Sequence, residues 1–252
     1  MHARLFDHPD PRRLDLRASL RAVPQQWLVR LHLQRVAVPV QVVVDVSISM
    51  RFGTGGTKLD LAADFVQALG YSAFRAGDQV GMLAFDHDAR EDLFVPARHG
   101  RVVGDEMAAL LRQCIELPQT MRGDAAVACT LDRLAGSRGL VFFVSDFHWP
   151  LTRLDAAMER LVRARVVPIV IWHKAEIEPP VAGRFLPVCD METGSQRALW
   201  LRPRLAQQWQ ENVARRRAEL KAAFGRSGAY PFFVEGAFDA EALSRHFLET
   251  TP

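Results

Sequence analysis

The chain has 252 residues, with 32 lysines and arginines against 29 acidic residues, which gives a formal charge of +3 at pH 7. Hydrophobic residues make up 49% and charged residues 24%, a balance typical of a soluble globular protein with ample material for a core. Such a small basic excess argues against a dedicated nucleic-acid-binding protein, although a local basic patch is compatible with it.

Targeting and redox features point to the cytoplasm. No run of about 20 apolar residues exists, so we expect no membrane span, and the N-terminus lacks the apolar stretch of a secretory signal. The three cysteines, Cys114, Cys129 and Cys189, are widely spaced and form no CxxC pair. We expect them to be reduced thiols, as in a cytosolic protein.

The first 37 residues are rich in arginine and are predicted to be an N-terminal extension, with one domain over 38–252. This domain opens with "PVQVVVDVSISMRFG" (Pro39–Gly53), in which Val40, Val42, Val43 and Val44 form a near-continuous apolar run typical of a strand buried on both faces of a parallel sheet. Three similar stretches predict further strands over 79–85, 139–147 and 164–173. The last contains Pro168, which indicates an edge position or a bulge.

Amphipathic patterns predict helices between these strands. Alternating strands and helices indicate a doubly wound, mostly parallel α/β sheet with helices on both faces. Residues 87–97 follow the preceding strand after a short turn, which predicts one antiparallel edge strand. The predicted helices cover 58–77, 105–117, 124–136 and 152–165, with Thr152 as an N-cap. A hairpin inserted at about 176–202, a basic helix over 204–228, a last strand and a closing helix complete the prediction.

Polar side chains follow two of the buried strands. Asp45, Ser47 and Ser49 alternate at the end of the first strand, so in an extended chain they point the same way. Asp146 ends the third strand, and ligands of open α/β sheets bind at the carboxyl ends of strands. Carboxylate and hydroxyl oxygens suit a hard cation such as Mg²⁺. The pattern therefore predicts a cation site at this rim.

Three other motifs have ordinary interpretations. His148, next to Asp146, is predicted to be a solvated loop histidine rather than a ligand. The "TGGTK" segment (Thr54–Lys58) lacks the spacing of a phosphate-binding loop and is interpreted as a plain connection. The run "ARRRAELK" (Ala214–Lys221) is interpreted as the solvated face of a helix, with an acidic partner surface as the sharper alternative.

The segments "VVVDVSISM", "KLDLAADFVQALGYSAFRAGDQVGMLAF" and "GLVFFVSDF" together resemble the von Willebrand factor A fold and its metal-ion-dependent adhesion site. Within that superfamily the chain is most similar to a bacterial family of unknown function, whose upstream "RLDWRAS"-like segment is present here as "RLDLRAS" (Arg13–Ser19). Genes of that family often lie beside genes for MoxR-type AAA+ ATPases. The resemblance thus implies a fold, a site and a class of partner.

The resemblance implies a metal site at residues that match the motif. Mg²⁺, or Mn²⁺ or Ca²⁺ in its place, would be held by two serines, a threonine and water-linked aspartates. Gly123 stands where the family has its threonine, so one direct ligand is lost and metal binding should be weakened or abolished. The implied metal-site residues are Asp45, Ser47, Ser49, Asp124 and Asp146.

The function implied by the resemblance is that of a non-enzymatic protein-interaction adaptor. It would act with a MoxR-type AAA+ ATPase in the maturation or remodelling of a client protein, a metalloenzyme being one candidate. The missing threonine also allows docking without metal. Two alternatives stay open: a nucleic-acid-binding module that uses the arginine-rich segments, and, ranked last, a metal-dependent enzyme.

Overall fold

The structure is a computed structural model. It describes residues 2–7, 9, 11–30, 37–53, 55–115, 126–180, 183, 185–189 and 196–250. The chain divides into two compact units, residues 1–37 and 38–252.

The described residues of the first unit form two short strands, a 3₁₀ turn and one α-helix. Strand β1 (His2–Arg4) pairs antiparallel with β2 (Leu28–Arg30), and α1 (Leu16–Arg21) lies between them in sequence. Asp15 caps α1 by accepting a hydrogen bond from the Ala18 backbone N–H at 3.1 Å. The unit is thus ordered by strand pairing and a helix cap within its own few residues.

The second unit is a doubly wound α/β domain. Its strands are β3 (Pro39–Asp45), β4 (Gln79–Phe85), β5 (Val95–Arg98), β6 (Gly139–Ser145), β7 (Ala164–Trp172), β8 (Phe185–Cys189), β9 (Gln196–Trp200) and β10 (Phe232–Glu235). Its helices are α2 (Lys58–Ala76), α3 (Val103–Ile115), α4 (Ala126–Asp132), α5 (Thr152–Arg160), α6 (Lys174–Ile177), α7 (Pro203–Gly225) and α8 (Ala240–Thr250). The main sheet has the order β10–β7–β6–β3–β4–β5, and β8 pairs antiparallel with β9 in a separate two-stranded sheet.

Both faces of the main sheet are covered, which explains why its central strands are apolar at most positions. Val42 and Val44 of β3 pack into the layer formed with α2, α3 and α8. Val43, between them, packs into the opposite layer with α4, α5 and α7. Successive side chains of a strand point to opposite faces, so both must be hydrophobic here.

The predicted fold class is confirmed. All neighbouring strands of the main sheet are parallel except β4 and β5, which form the antiparallel edge. The β8–β9 pair is the predicted hairpin. This is the doubly wound arrangement that the strand pattern indicated. Among the described residues, no helix combines the length and apolarity needed to span a bilayer.

Three local predictions were wrong. The strand with Pro168 is not an edge strand, because β7 lies between β6 and β10. Pro168 is tolerated there because β10 is short and pairs with β7 only from Ile169 onward. The antiparallel edge strand was predicted over residues 87–97 but covers only Val95–Arg98. A 3₁₀ turn at Glu91–Leu93 occupies part of the predicted range. Thr152 is the first helical residue of α5 rather than its cap, and Leu151 holds the cap position without a side-chain bond.

Helices α2 and α3 pack closely through two glycines, which leads to a first testable prediction. A Cβ added to Gly70 would lie 2.3 Å from the Gly104 Cα, a backbone atom that cannot move alone. We expect Gly70→Ala to lower the free energy of unfolding by about 2 kcal/mol, because overpacking costs about 1–3 kcal/mol and outweighs the gain in helix propensity. Urea denaturation followed by circular dichroism measures this change.

Gly225 provides the matched control for this substitution. It lies at the end of α7, and an added Cβ would have no atom within 4 Å. Gly225→Ala should therefore leave stability unchanged or raise it slightly. Equal stability of the two variants would contradict the close approach of α2 and α3.

Candidate functional site

The carboxyl ends of three neighbouring parallel strands form one polar rim. Asp45 ends β3, Asp146 follows β6 directly, and α6, which carries Glu176, begins two residues after β7. Because β7, β6 and β3 are adjacent in the sheet, their ends meet at the same edge. The rim therefore gathers acidic groups from positions far apart in the chain.

Asp45 is buried and hydrogen-bonded on both carboxylate oxygens. Its Oδ1 accepts a hydrogen bond from the Ser47 backbone N–H at 2.9 Å, and its Oδ2 accepts one from the Ser145 Oγ at 2.7 Å. Burial, followed by the negative charge of Asp146, raises the pKa of Asp45 to about 6, although these hydrogen bonds oppose the shift. Asp45 thus carries a carboxyl that protonates in mildly acidic solution.

Ser145 explains why the Asp45 carboxyl is held so firmly. Its hydroxyl donates to Asp45 and accepts hydrogen bonds from the Phe147 N–H at 2.9 Å and the Trp149 Nε1 at 3.2 Å. The Ser145 hydroxyl therefore uses its single donor and both of its acceptor positions. Ser145 therefore links the end of β3 to the loop after β6.

Ser47 and Ser49 converge through a turn rather than through an extended chain. Residues Ile48–Arg51 form a 3₁₀ helix, so the strand alternation expected from the sequence ends after Asp45. The two hydroxyl oxygens nevertheless lie 3.2 Å apart and are half-buried at the rim. The structure thus brings Asp45, Ser47, Ser49 and Asp146 together, by a different local geometry.

Lys58, the first residue of α2, places its ammonium group inside this rim. Its side chain is 0% exposed. Nζ lies 2.6 Å from Asp146 Oδ2 and 2.7 Å from Glu176 Oε1. The Phe52 ring covers it, with its centroid at 5.9 Å. One buried cation thus bridges carboxylates that follow two different strands.

The charge around Asp146 and Glu176 keeps both groups ionised. Burial raises the pKa of Asp146, but the charges of His148 and Lys58 and hydrogen bonds from Lys58 and Ser49 outweigh it, and the pKa lies below the usual range. For Glu176, burial is likewise outweighed by His148 and Lys58, and its pKa is also lowered. Both carboxylates are therefore negative at neutral pH.

His148 is the exposed member of the cluster. Its ring stacks on Trp172 with centroids 6.3 Å apart, and its Nε2 lies 3.6 Å from Glu176 Oε1. Its side chain is 42% exposed. The expected loop histidine is thus at the surface, and it contacts the buried charges of the rim as well.

Asp146, His148 and Glu176 hold ligand atoms within 4.8 Å of one another, a spacing compatible with a metal ion. This donor set does not fit Mg²⁺, and it contains only Asp146 of the metal-site residues that the resemblance implies. Mg²⁺ requires about six oxygen ligands at roughly 2.0–2.1 Å, whereas Lys58 already bonds one oxygen of each carboxylate. The backbone N–H of His148 takes the second oxygen of Asp146. An acidic cluster is present, but its buried cation is an ammonium.

An open groove adjoins the rim. Its volume is about 710 Å³, and it lies between the rim, α6 and α7. The Trp209 indole N–H donates to the Glu176 backbone carbonyl at 2.6 Å, which ties α7 to α6 along one wall. Residues that line the groove include His148, Trp172, Glu176, Trp209, Arg215 and Arg216.

Two arginines of the basic α7 segment serve the fold instead of forming only a solvated face. Arg216 donates to the backbone carbonyls of Phe147 and Trp149 at 2.6 and 2.7 Å. The Arg217 guanidinium lies 5.6 Å from the centre of the Trp172 ring. Arg216 thus fixes the loop after β6 against α7, and Arg217 packs α7 against β7. The alternative function of nucleic-acid binding stays a prediction.

Two of the residues discussed for the metal site, Gly123 and Asp124, lie outside the described residues. Lys58, Glu176 and Ser145 were missed by sequence reasoning. Glu176 follows the strand Ala164–Trp172 as Asp146 follows Gly139–Ser145, so the same strand-end argument would have found it. Lys58 gave a weaker signal, a lysine at the first position of a helix that faces those strand ends.

The fold and the site define a class: a doubly wound α/β domain with an acidic rim at the carboxyl ends of its strands. The family model described as "Protein of unknown function DUF58" matches residues 6–219. The chain belongs to this family. The family's unknown function fits the expected resemblance to a bacterial family of unknown function.

Relatives and solved structures extend the comparison. An uncharacterized protein of Mycobacterium tuberculosis is 28% identical over 222 residues, which are 87% of this chain and 68% of that protein. An uncharacterized Mycobacterium bovis protein matches to the same extent. BatB from Bacteroides thetaiotaomicron has a TM-score of 0.45 at 14% identity and covers 85% of this chain and 98% of its own. The SpRpn10 VWA domain has a TM-score of 0.42 at 12% identity, and the match covers 83% of this chain and 95% of that domain.

Proposed function

We propose that this protein is a non-enzymatic adaptor that docks a protein partner at the rim. The observation that carries the proposal is the arrangement of groups there: Lys58 and Asp146 are buried and paired with each other, whereas Ser47 and Ser49 are half-buried and His148 is exposed. Hydroxyl and imidazole groups at a surface bind a partner through hydrogen bonds. Such a surface suits recognition.

The groove beside the rim supports docking further. Indole rings are enriched at the centres of protein interfaces, and the half-buried Trp209 lines this groove. A partner seated on Ser47, Ser49 and His148 would reach the groove directly, because His148 belongs to both surfaces. The rim and the groove can therefore act as one docking surface.

The partner that we propose is a MoxR-type AAA+ ATPase, with a client protein that the pair matures or remodels in the cytoplasm. The support is the resemblance of the strand-end motifs and of "RLDLRAS" to a family whose genes lie beside those of such ATPases. A metalloenzyme is one candidate client. Mg²⁺ is not required for this docking, since the cluster already contains a cation.

The His148 side chain provides the test of this surface. We expect His148→Ala to weaken binding of the purified MoxR-type ATPase about tenfold, a loss of about 1.4 kcal/mol in binding free energy. Biolayer interferometry with immobilised protein, in Mg²⁺ and in EDTA, measures the dissociation constant. Thermal denaturation establishes that the variant is folded.

His99→Ala is the matched control. His99 is also exposed and stacks on an aromatic ring, Phe74, with centroids 5.2 Å apart. It hydrogen-bonds with the Asp78 carbonyl, next to the amino end of β4 and away from the rim. Binding unaltered in both variants would remove the rim as the docking surface, and no binding by the unmodified protein would remove the ATPase as its partner.

A further inference from the structure

We infer that the Lys58 ammonium is the resident cation of the rim, where it joins Glu176 to Asp146, one of the residues that the von Willebrand A resemblance assigns to a metal site. Nζ lies within 2.7 Å of carboxylate oxygens from Asp146 and Glu176. These are short, charge-assisted hydrogen bonds. The ammonium therefore performs the task of a bound cation, which is to hold acidic groups from separate strand ends together.

The position of the ammonium is fixed by the start of α2. Thr57 and Asp60 form a capping box: the Thr57 N–H donates to Asp60 Oδ2 at 2.7 Å, and the Asp60 N–H donates to Thr57 Oγ1 at 3.1 Å. Lys58 is the next residue after the cap and its side chain is 0% exposed.

Helix stability does not explain a lysine at this position. The N-terminal end of a helix carries partial positive charge and disfavours cations in its first turn. The two carboxylates that Lys58 contacts offset both this repulsion and the loss of hydration. The lysine is therefore placed for the rim and not for α2.

A divalent cation and the Lys58 ammonium exclude each other at this site. Asp146 Oδ2 and Glu176 Oε1 would have to bond the metal, and each already accepts a hydrogen bond from Nζ. Both cations would then lie within a few ångströms of each other, where like charges repel strongly in a partly buried site. The protein is thus expected to keep its rim intact without metal.

The first experiment is a titration of the unmodified protein with Mn²⁺, followed by electron paramagnetic resonance of the free ion. We expect no stoichiometric binding at millimolar Mn²⁺. One bound Mn²⁺ per chain that is lost in Asp146→Asn would overturn the inference. This arm needs no variant that removes the lysine.

The second experiment removes the ammonium. Lys58→Ala leaves space beside Asp146 and Glu176, and we expect it to bind Mn²⁺ at least about tenfold more tightly than the unmodified protein, because the competing charge is gone. Added Mn²⁺ should also raise the melting temperature of this variant and leave that of the unmodified protein unchanged. If the alanine variant does not fold, Lys58→Gln replaces it, since its amide is uncharged and polar.

Lys174→Ala is the matched control, because Lys174 is exposed and lies two residues from Glu176 on α6. It should bind Mn²⁺ as the unmodified protein does, which separates removal of the buried ammonium from a general change in surface charge. A folded Lys58→Ala or Lys58→Gln protein without increased Mn²⁺ affinity would also overturn the inference. None of these outcomes depends on the ATPase, so the docking proposal and this inference can fail separately.

Discussion

Replacing Lys58 by methionine is expected to lower the free energy of unfolding by about 3–5 kcal/mol at pH 7.5, the usual cost of removing one partner of a buried ion pair. Methionine has similar volume, so the core beside Phe52 stays filled. Asp146 and Glu176 keep their negative charges in the variant and lose the cation that compensates them. Chemical denaturation at several pH values measures the loss.

The pH dependence of this loss has a definite sign. In the unmodified protein the pKa values of Asp146 and Glu176 are lowered, so their stabilisation is present above the unfolded values near 4 and lost as the pH falls through the folded values. Without Lys58, burial raises these pKa values, and the variant is stabilised as the carboxyls protonate. The stability difference between the two proteins should therefore shrink as the pH falls from 7.5 toward 4.

Lys174→Met controls for the change of residue type. Lys174 is also the first residue of a helix, and it is exposed. Its replacement should alter stability by no more than about 0.5 kcal/mol, as surface substitutions generally do. A Lys58→Met protein as stable as the Lys174→Met protein would show that the buried ammonium does not hold the rim together.

Trp172→Ala should have a comparable effect, a loss of about 3–5 kcal/mol in the free energy of unfolding, because it removes a large buried aromatic side chain. The indole packs against Phe233 with ring centroids 5.3 Å apart and donates its N–H to the Asp146 backbone carbonyl at 3.0 Å. The substitution therefore creates a cavity and leaves a buried carbonyl without this partner. Urea denaturation followed by far-ultraviolet circular dichroism measures the loss.

Trp172→Phe separates these two contributions. It keeps an aromatic ring in the core and removes the donor, so we expect a loss of about 1–3 kcal/mol, the cost of an unsatisfied buried polar group. Trp200→Ala is the control, since Trp200 is 46% exposed and stacks only on the exposed Phe185 among the rings described. Its loss should stay below about 1.5 kcal/mol. If Trp172→Ala and Trp200→Ala lowered the free energy of unfolding equally, the described packing of Trp172 beneath the rim would be contradicted.

The two residues have related roles at the proposed docking surface. Lys58 holds the acidic groups of the rim together. Trp172 supports His148 from beneath, and the planes of the two rings differ by only 6°. A partner would therefore meet side chains whose positions are set by buried contacts. Such pre-organisation lowers the entropic cost of binding.

Much of this architecture could be predicted from local sequence patterns. The apolar run at Gln79–Phe85 corresponds residue for residue to β4, and the valines Val40, Val42, Val43 and Val44 all lie within β3. The proximity of Asp45 and Asp146 was also predictable, because parallel strands end at the same edge of the sheet. These features depend on alternation, on helix periodicity and on the direction of strands, all of which are written in short segments of sequence.

The partners of the buried charges could be known only from the tertiary structure. Lys58 is separated by 88 residues from Asp146 and by 118 from Glu176. Which acid meets which base depends on the strand order β7–β6–β3 and on where α2 and α6 begin at the rim. Burial decides the outcome, because a charge removed from water must find an opposite charge wherever the packing brings one. Hydrophobic patterns act over a few residues, whereas this pairing depends on the whole arrangement of the sheet.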